Sequence, residues 1–241
     1  MDVQSSDSGR PASPEAGGGR AVEVGPLRLA GTLAIPLGAR SAIVFVHGSG
    51  SSRHSPRNIA VARALNARGF ATLLFDLLRG DEDAERHKVF DIPLLAERLL
   101  RAIAWMKTQE PRLALGLFGA STGAAAALVV AAALADDIGA VVSRGGRPDL
   151  AGPVLGDVHA PTLLIVGGAD EVVLDLNRWA FDRLRGTKAL EVVPGASHLF
   201  PEPGAMEQVI AHAAGWFERF LPAPGRGGAI PGGSEDIHAV S

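Results

Sequence analysis

Residues 115–123, Leu-Gly-Leu-Phe-Gly-Ala-Ser-Thr-Gly, decide the fold that we predict for this chain of 241 residues. An apolar run ends at Gly119, Ser121 follows between two glycines, and an alanine-rich stretch continues over residues 124–135. This order predicts a buried strand, a sharp turn with Ser121 at its tip, and a helix. Glycines suit such a turn because a Cβ on either side of the serine would collide with the neighbouring strand or helix.

The composition is that of a globular protein with one sizeable core. Hydrophobic residues make up 47% of the chain, charged residues 20%, and the formal net charge is -3. This balance gives no reason to expect a nucleic acid or an anionic membrane as a partner. The absence of cysteine excludes disulfides, thiolate metal sites and a cysteine nucleophile. No HExxH or comparable ligand spacing occurs, so we expect neither a metal nor a cofactor.

The two ends of the chain are polar and rich in glycine, serine and proline. We predict disordered tails over residues 1–20 and 222–241, around one domain over residues 21–221. The first tail lacks the apolar core of a signal peptide, and the apolar run at 124–135 is too short to span a membrane. We therefore expect a cytoplasmic protein without a membrane partner, either a monomer or a homodimer.

Between these tails, short apolar runs alternate with helical patterns. A turn signal at Gly25 and Pro26 predicts a hairpin at a sheet edge within residues 21–36. The remaining predicted strands are 41–46, 70–75, 113–118, 138–142, 162–166 and 189–193. The predicted helices are 56–68, one capped by Asp91 that reaches at least Met106, 122–135, 175–185 and 204–220, with 76–88 as a charged loop.

This alternation predicts an α/β fold: a mostly parallel central sheet with helices on both faces. Ligands bind at the carboxyl ends of the strands in such sheets. Six polar residues lie at or just past those ends: His47, Asp76, Ser121, Ser143, Asp170 and His198.

Three of these residues have the chemistry and the chain order of a nucleophile, an acid and a base. A serine hydroxyl needs a base within hydrogen-bond reach, and the base needs an acid that orients it. His198 is the best base because it follows the last strand, although a histidine there is also typical of an ordinary surface loop. Asp170 is the best acid, with Glu171 and Asp175 as alternatives. His47 is more typical of a structural histidine.

Attack by the serine on an ester would create an oxyanion that needs fixed N–H donors. The Thr122 amide follows the serine and opens a helix, whose dipole favours negative charge there. The second predicted donor is the Ser49 amide, in the loop at residues 47–50. A plain glycine-rich turn is the alternative interpretation of that loop.

Four stretches together resemble the α/β-hydrolase fold: His-Gly-Ser-Gly at 47–50, Gly-Ala-Ser-Thr-Gly at 119–123, Gly-Gly-Ala-Asp at 167–170 and Gly-Ala-Ser-His at 195–198. Within that superfamily the chain resembles the small, lidless dienelactone-hydrolase-like group over residues 21–221. Residues 48–58 and 143–150 also resemble hydrolase domains found beside phosphoribosyltransferase-type domains. Dienelactone hydrolases proper use a cysteine nucleophile, so their substrate does not carry over to this serine-containing chain.

Residues 143–161 have room for a loop and a short helix, which predicts an open site without a cap domain. Arg144 and Arg147 flank two glycines in this stretch and could bind a substrate carboxylate or phosphate. A solvated basic loop explains them equally well. Arg53 and Arg57 are weaker candidates for the same role.

These residues predict a serine hydrolase that cleaves small carboxylic esters or lactones through an acyl-enzyme on Ser121, without a cofactor. Acyl transfer or phosphotriester turnover on the same triad is a second hypothesis. A non-catalytic receptor for a small ligand, with the same fold, is a third.

Overall fold

The computed structural model describes residues 19–83, 85 and 87–223. The strands in this part are β1 (Arg20–Val24), β2 (Leu29–Ala34), β3 (Ser41–Val46), β4 (Ala71–Phe75), β5 (Ala114–Ala120), β6 (Ile138–Arg144), β7 (Thr162–Gly167) and β8 (Lys188–Val193). The α-helices are α1 (Pro56–Ala67), α2 (Gly80–Asp83), α3 (Ile92–Gln109), α4 (Thr122–Ala133), α5 (Glu171–Arg183) and α6 (Ala205–Phe220). Two 3₁₀ helices cover Lys88–Phe90 and Pro148–Asp157.

The strands form a single sheet in the order β1-β2-β4-β3-β5-β6-β7-β8. Strand β2 is antiparallel to both β1 and β4, and every other neighbouring pair is parallel. The predicted hairpin at the sheet edge and the mostly parallel sheet are therefore confirmed. Strand β4 pairs with one side of β3, and the connection from β4 through α3 crosses to the other side, where β5 pairs with β3. The loops that follow β3 and β5 therefore meet at one edge.

Helices cover both faces of the sheet. One core cluster packs α3, α4 and part of α5 on one face, and a second packs α1 and α6 on the other. Strands β3, β4 and β7 are buried at every position, as their uninterrupted apolar sequences require. The predicted α/β class, with helices on both faces, is confirmed.

Side-chain caps fix where α1 and α3 begin. Ser55 Oγ accepts a hydrogen bond from the Asn58 amide at 3.4 Å, and Asp91 Oδ1 accepts one from the Leu94 amide at 3.0 Å. Each helix also has a proline in its first turn, where the missing N–H costs nothing. Both predicted helix starts are confirmed.

Several predicted boundaries are wrong, including the end of β5, which continues to Ala120 instead of ending at Phe118. Helix α2 lies within the stretch predicted as a charged loop, and α5 begins at Glu171 rather than near residue 175. Strand β6 continues to Arg144 instead of ending at Val142. The extension forms because Arg144 pairs with strands on both sides, with Ala120 in β5 and Ile165 in β7. Distant partners of this kind leave no local pattern in the sequence.

The described part of the chain reaches slightly into both predicted tails. Strand β1 begins at Arg20, which pairs with Leu33, so the ordered fold starts one residue before the predicted boundary. At the other end, the Pro222 carbonyl accepts a hydrogen bond from Ser41 Oγ at 2.9 Å. Residues 1–18 and 224–241 lie outside the described residues, and their disorder stays a prediction. No helix in the described part is both long and apolar enough to cross a lipid bilayer.

Candidate active site

Ser121 lies at the tip of a strained turn between β5 and α4. Its backbone has φ 51° and ψ -124°, a conformation that a residue with a Cβ rarely adopts. A Cβ on Gly119 would lie 2.5 Å from the Ala124 Cα, and one on Gly123 would lie 2.2 Å from the Val46 carbonyl oxygen. The turn therefore holds its serine against both β3 and α4, and only glycine fits at its two flanks.

His198 and Asp170 form the second part of the site. Asp170 follows β7, His198 follows β8, and His198 Nδ1 lies 2.7 Å from Asp170 Oδ2. Backbone hydrogen bonds join the two loops: the Ala169 amide donates to the Ala196 carbonyl at 2.9 Å. These bonds fix the Asp170 carboxylate relative to the imidazole. Nε2 is the ring nitrogen that Asp170 does not contact.

The two alternative acids point elsewhere. Glu171 is exposed on the first turn of α5, and Asp175 binds Arg178 at 3.0 Å on the surface of that helix. Asp170 occupies the N-cap position of α5 but makes no side-chain cap bond. Its carboxylate contacts His198 instead of the helix. Ser121 likewise stands at the N-cap of α4 without capping it.

Residues 144–147 connect the serine turn with the histidine loop. The Ser121 amide donates to the Arg144 carbonyl at 3.3 Å, and the Arg147 amide donates to the Ser121 carbonyl at 3.0 Å. A Cβ on Gly145 would lie 3.1 Å from the His198 carbonyl oxygen and 3.6 Å from its ring Cε1. One short segment thus touches both the serine turn and His198, and it brings the predicted nucleophile and base to the same edge of the sheet.

The two predicted oxyanion donors lie beside Ser121, but one of them has a partner. The Ser49 amide donates a hydrogen bond to Thr122 Oγ1 at 3.0 Å. The Thr122 amide is at the start of α4, where an N–H has no acceptor within the helix. No sequence pattern predicts the hydrogen bond between the Ser49 amide and Thr122 Oγ1. An oxyanion at this position would have to replace the threonine hydroxyl as acceptor for the Ser49 amide.

His47 is a structural histidine in this arrangement. The Leu77 amide donates to His47 Nε2 at 3.0 Å, so His47 Nδ1 carries the proton and lies 3.0 Å from the Gly48 carbonyl. The ring is buried and joins the loop after β3 to the loop after β4. It therefore holds the Ser49 loop in place and does not compete with His198 as a base.

Known proteins share this fold. A family model described as "Serine aminopeptidase, S33" matches residues 38–146. The crystal structure of a dienelactone hydrolase from Anabaena variabilis is 50% identical, with a TM-score of 0.81, and the match covers 85% of this chain and 97% of that one. The chain belongs to the dienelactone-hydrolase-like group of the α/β-hydrolase superfamily. By family it is an α/β-hydrolase.

Three further proteins are similar to this α/β-hydrolase. XC6422 from Xanthomonas campestris, described as a serine hydrolase without a lid, is 25% identical with a TM-score of 0.70; the match covers 90% of this chain and 100% of that one. Two proteins of Mycobacterium tuberculosis, provisionally named as phosphoribosyl transferases, are 56% identical over 209 residues. That match covers 86% of the hydrolase but 47% of the relatives, so the chain spans about half of their length.

The hydrolase has no cap domain between β6 and β7. That interval contains the 3₁₀ helix Pro148–Asp157, which packs on α4 and α5. The prediction of a loop and a short helix without a cap is confirmed. Nothing inserted at this point covers Ser121, and His198 keeps 38% of its side chain exposed.

The arginines predicted to bind substrate are placed differently from the expectation. Arg147 is not a free cation: it binds Asp149 through two hydrogen bonds of 2.8 and 2.7 Å, which raise the pKa of its guanidinium. Arg53 is paired with Asp76, which also accepts a hydrogen bond from the Arg53 amide at 2.7 Å. Arg147 is paired within its own loop, and Arg53 joins the loop after β3 to the residue after β4. Both charges are therefore already compensated.

Arg144 is not on a flexible loop at all. It is the last residue of β6, its side chain is 6% exposed, and its guanidinium donates to Asn58 Oδ1 at 3.3 Å. Burial, followed by the charge of Arg57, lowers the pKa of Arg144 to about 10. The sequence identified Arg144 but missed Asn58, because the two residues are far apart in the chain and meet only through the fold.

Glu202 is a second residue that the sequence analysis missed. Its Oε1 accepts a hydrogen bond from the Ser197 amide at 3.0 Å, next to His198. That hydrogen bond is the main reason why the pKa of Glu202 is lowered, although burial opposes it. Glu202 thus closes the loop that carries the predicted base. A glutamate five residues after a loop serine offers no recognisable sequence signal.

Proposed function

We propose that this hydrolase cleaves small carboxylic esters or lactones, with Ser121 as the nucleophile. The observation that supports the proposal best is the pairing of His198 Nδ1 with Asp170 Oδ2 at 2.7 Å, beside a serine at φ 51°. An imidazole held by a carboxylate on one nitrogen presents the other nitrogen as a base. The lone serine hydroxyl would be a poor nucleophile without such a base.

In the proposed reaction, Ser121 Oγ attacks the ester carbonyl and its proton passes to His198 Nε2. Asp170 orients the imidazole and stabilises the cation that forms. The Thr122 and Ser49 amides donate hydrogen bonds to the oxyanion. To do so, the Ser49 amide gives up its hydrogen bond to the Thr122 hydroxyl. The alcohol leaves with the proton from His198, and an acyl-enzyme remains. Water, deprotonated by His198, then releases the acid.

The missing cap supports hydrolysis over acyl transfer. An acyl-enzyme in an uncovered site meets water freely, whereas transfer to another acceptor requires that water be excluded. The Anabaena relative is named for the hydrolysis of a lactone, and the Xanthomonas neighbour is described as a serine hydrolase. Both names agree with hydrolysis as the reaction of this chain.

The test is hydrolysis of p-nitrophenyl acetate and butyrate by the wild type and Ser121→Ala, with fluorophosphonate labelling of both. We expect the variant to lose label and at least about 10³-fold in kcat, because removal of a nucleophile typically costs that much. Ser197→Ala is the matched control, since the hydrogen bonds of Ser197 run through its backbone. It should be labelled and should turn over like the wild type.

Each other result counts against a part of the proposal. Equal turnover by the wild type and Ser121→Ala would show that Ser121 is not the nucleophile. A wild type that neither turns over nor becomes labelled would favour the receptor hypothesis. Product analysis with added alcohols separates acyl transfer from hydrolysis, because only transfer yields a new ester.

A further inference from the structure

Arg144 is a buried cation that lacks a counter-ion among the described residues. Side chains on a strand alternate, so Arg144 faces the same side of the sheet as Ala140 and Val142, which pack in the cluster under α1 and α6. Its only hydrogen-bond acceptor there is Asn58 Oδ1, and its Nε is buried without an acceptor. Burying a guanidinium in this way is costly unless an anion compensates it.

A second arginine makes the position more positive. Arg57 is in the first turn of α1, next to Asn58, and its charge acts on Arg144. The Nε of Arg57 is also buried without an acceptor. Within the described part of the chain neither guanidinium has a carboxylate at ion-pair distance, whereas Arg53 and Arg147 both have one. Two neighbouring cations of this kind repel each other, and only a negative group between them turns the repulsion into attraction.

This pair lies next to the candidate active site. The Arg144 carbonyl accepts from the Ser121 amide at 3.3 Å, and Arg144 is followed by Gly145, which packs on His198. Helix α1 follows the loop that carries Ser49, and Arg57 is in its first turn. The N-terminus of α1 adds a positive dipole end to the two guanidinium groups.

We infer that Arg144 and Arg57 bind an oxyanion carried by the substrate, a carboxylate or a phosphate group, beside Ser121. The inference deepens the proposed function and rests on it for the reaction: the substrate is an ester or lactone with an anionic group on its acyl side. The free Nε–H groups match the planar, bidentate geometry of carboxylate and phosphate oxygens. The anion would also compensate the charge that the fold buries.

The experiment compares three p-nitrophenyl esters of similar length: the hexanoate, the mono-ester of adipate and the ester of 5-phosphonopentanoate. We expect the wild type to prefer one anionic ester over the neutral one in kcat/KM. Arg144→Gln and Arg57→Gln should each reduce that preference by about tenfold to a hundredfold, because each removes a charge-assisted hydrogen bond. Arg63→Gln is the matched control, an exposed arginine on the same helix, and should keep the preference.

The two anionic esters distinguish a carboxylate site from a phosphate site. Equal kcat/KM values for all three esters in the wild type, or an unchanged preference in Arg57→Gln, would overturn the inference. Arg57 is only partly buried, so this variant decides the matter even if Arg144→Gln fails to fold.

A second measurement separates failure of the inference from failure of the proposed function. Thermal unfolding with inorganic phosphate or adipate needs no turnover. If no ester is cleaved but either anion stabilises the wild type and Arg63→Gln, and not Arg57→Gln, the anion site stands and the esterase proposal falls. If neutral esters are cleaved while neither anion stabilises the protein or improves a substrate, the esterase proposal stands and the anion site falls.

Discussion

At the scale of single residues, the serine turn is the most constrained point of the chain. Ser121 has a positive φ, and its two neighbouring glycines touch backbone atoms that belong to α4 and β3. Backbone atoms cannot move aside as a flexible side chain would. The glycines are therefore requirements of packing, and the positive φ of Ser121 adds local strain.

The first prediction concerns Gly123→Ala. The new Cβ would lie 2.2 Å from the Val46 carbonyl oxygen and 2.4 Å from the His47 carbonyl oxygen, so β3 and α4 would have to separate. We expect the free energy of unfolding to fall by at least about 2 kcal/mol, as measured by chemical denaturation.

Gly215→Ala is the control for that change. Gly215 is exposed within α6, and a Cβ there meets no heavy atom within 4 Å. Alanine should stabilise the helix by about 0.5–1 kcal/mol. Similar losses of unfolding free energy in Gly123→Ala and Gly215→Ala would show that the close contact is not the reason why position 123 needs glycine.

The sequence was sufficient to propose candidate residues for the site but not to predict their contacts. Ser121, Asp170 and His198 could be proposed because each follows a recognisable strand and because their chain order is informative. The partners of Arg53, Arg144 and the Ser49 amide could not be found. Those partners come from loops or strands distant in the chain, and no local pattern encodes such a meeting.

At the scale of elements, the loop between β8 and α6 depends on Glu202. Its carboxylate holds the Ser197 amide, and His198 follows directly. The lowered pKa means that Glu202 stabilises the fold while it is ionised. This contribution is complete above the ordinary glutamate pKa near 4.5 and is lost as the pH falls through the lower pKa of the folded state.

We predict that Glu202→Gln lowers the denaturation midpoint at pH 7 and that the difference from the wild type shrinks towards pH 3. The pH dependence follows because protonation of the wild-type carboxyl removes the same interaction. Glu207→Gln, an exposed carboxylate on the first turn of α6, should change the midpoint little at either pH. A difference that stays constant from pH 7 to pH 3 would contradict the role given to the Glu202 charge.

Element types followed from the sequence more reliably than element ends. The caps at Ser55 and Asp91 are local, so the starts of α1 and α3 were predicted correctly. Helix α2 is four residues long and highly charged, which leaves no hydrophobic period to detect. A salt bridge to α3 stabilises its position.

At the scale of the whole molecule, that salt bridge attaches the segment after β4 to the body of the fold. Arg98 donates to Glu82 Oε1 at 2.9 Å, and only 10% and 9% of the two side chains are exposed. Glu82 also accepts from the Arg79 amide at 3.0 Å. Removing one partner of a buried ion pair is costly, because the remaining charge stays buried without a partner.

We predict that Arg98→Met lowers the free energy of unfolding by about 3–5 kcal/mol, as measured by chemical denaturation. Arg101→Met is the matched control: Arg101 is on the same helix and pairs with Glu97, but both side chains are about half exposed. This change should have little effect, because solvent already screens the pair. Equal losses in the two variants would show that burial does not strengthen the Glu82–Arg98 interaction.

The topology of the sheet could be predicted only as a class. Alternating strands and helices imply a parallel sheet with two covered faces. The strand order, the antiparallel β2 and the crossover from β4 to β5 depend on long-range pairing. That crossover pairs β5 with β3 and so brings the Ser49 loop to Ser121. The site therefore depends on strand pairing that the sequence leaves undecided.

The two helices that start at Ser121 and Asp170 have no side-chain cap. Helices α1 and α3 have side-chain caps, whereas α4 and α5 begin at Ser121 and Asp170, which do not cap them. Uncapped helix ends open first in local unfolding and exchange their amide hydrogens most readily. An oxyanion on the Thr122 amide would supply an acceptor that α4 lacks. Substrate binding and the ordering of this helix start are thereby thermodynamically linked.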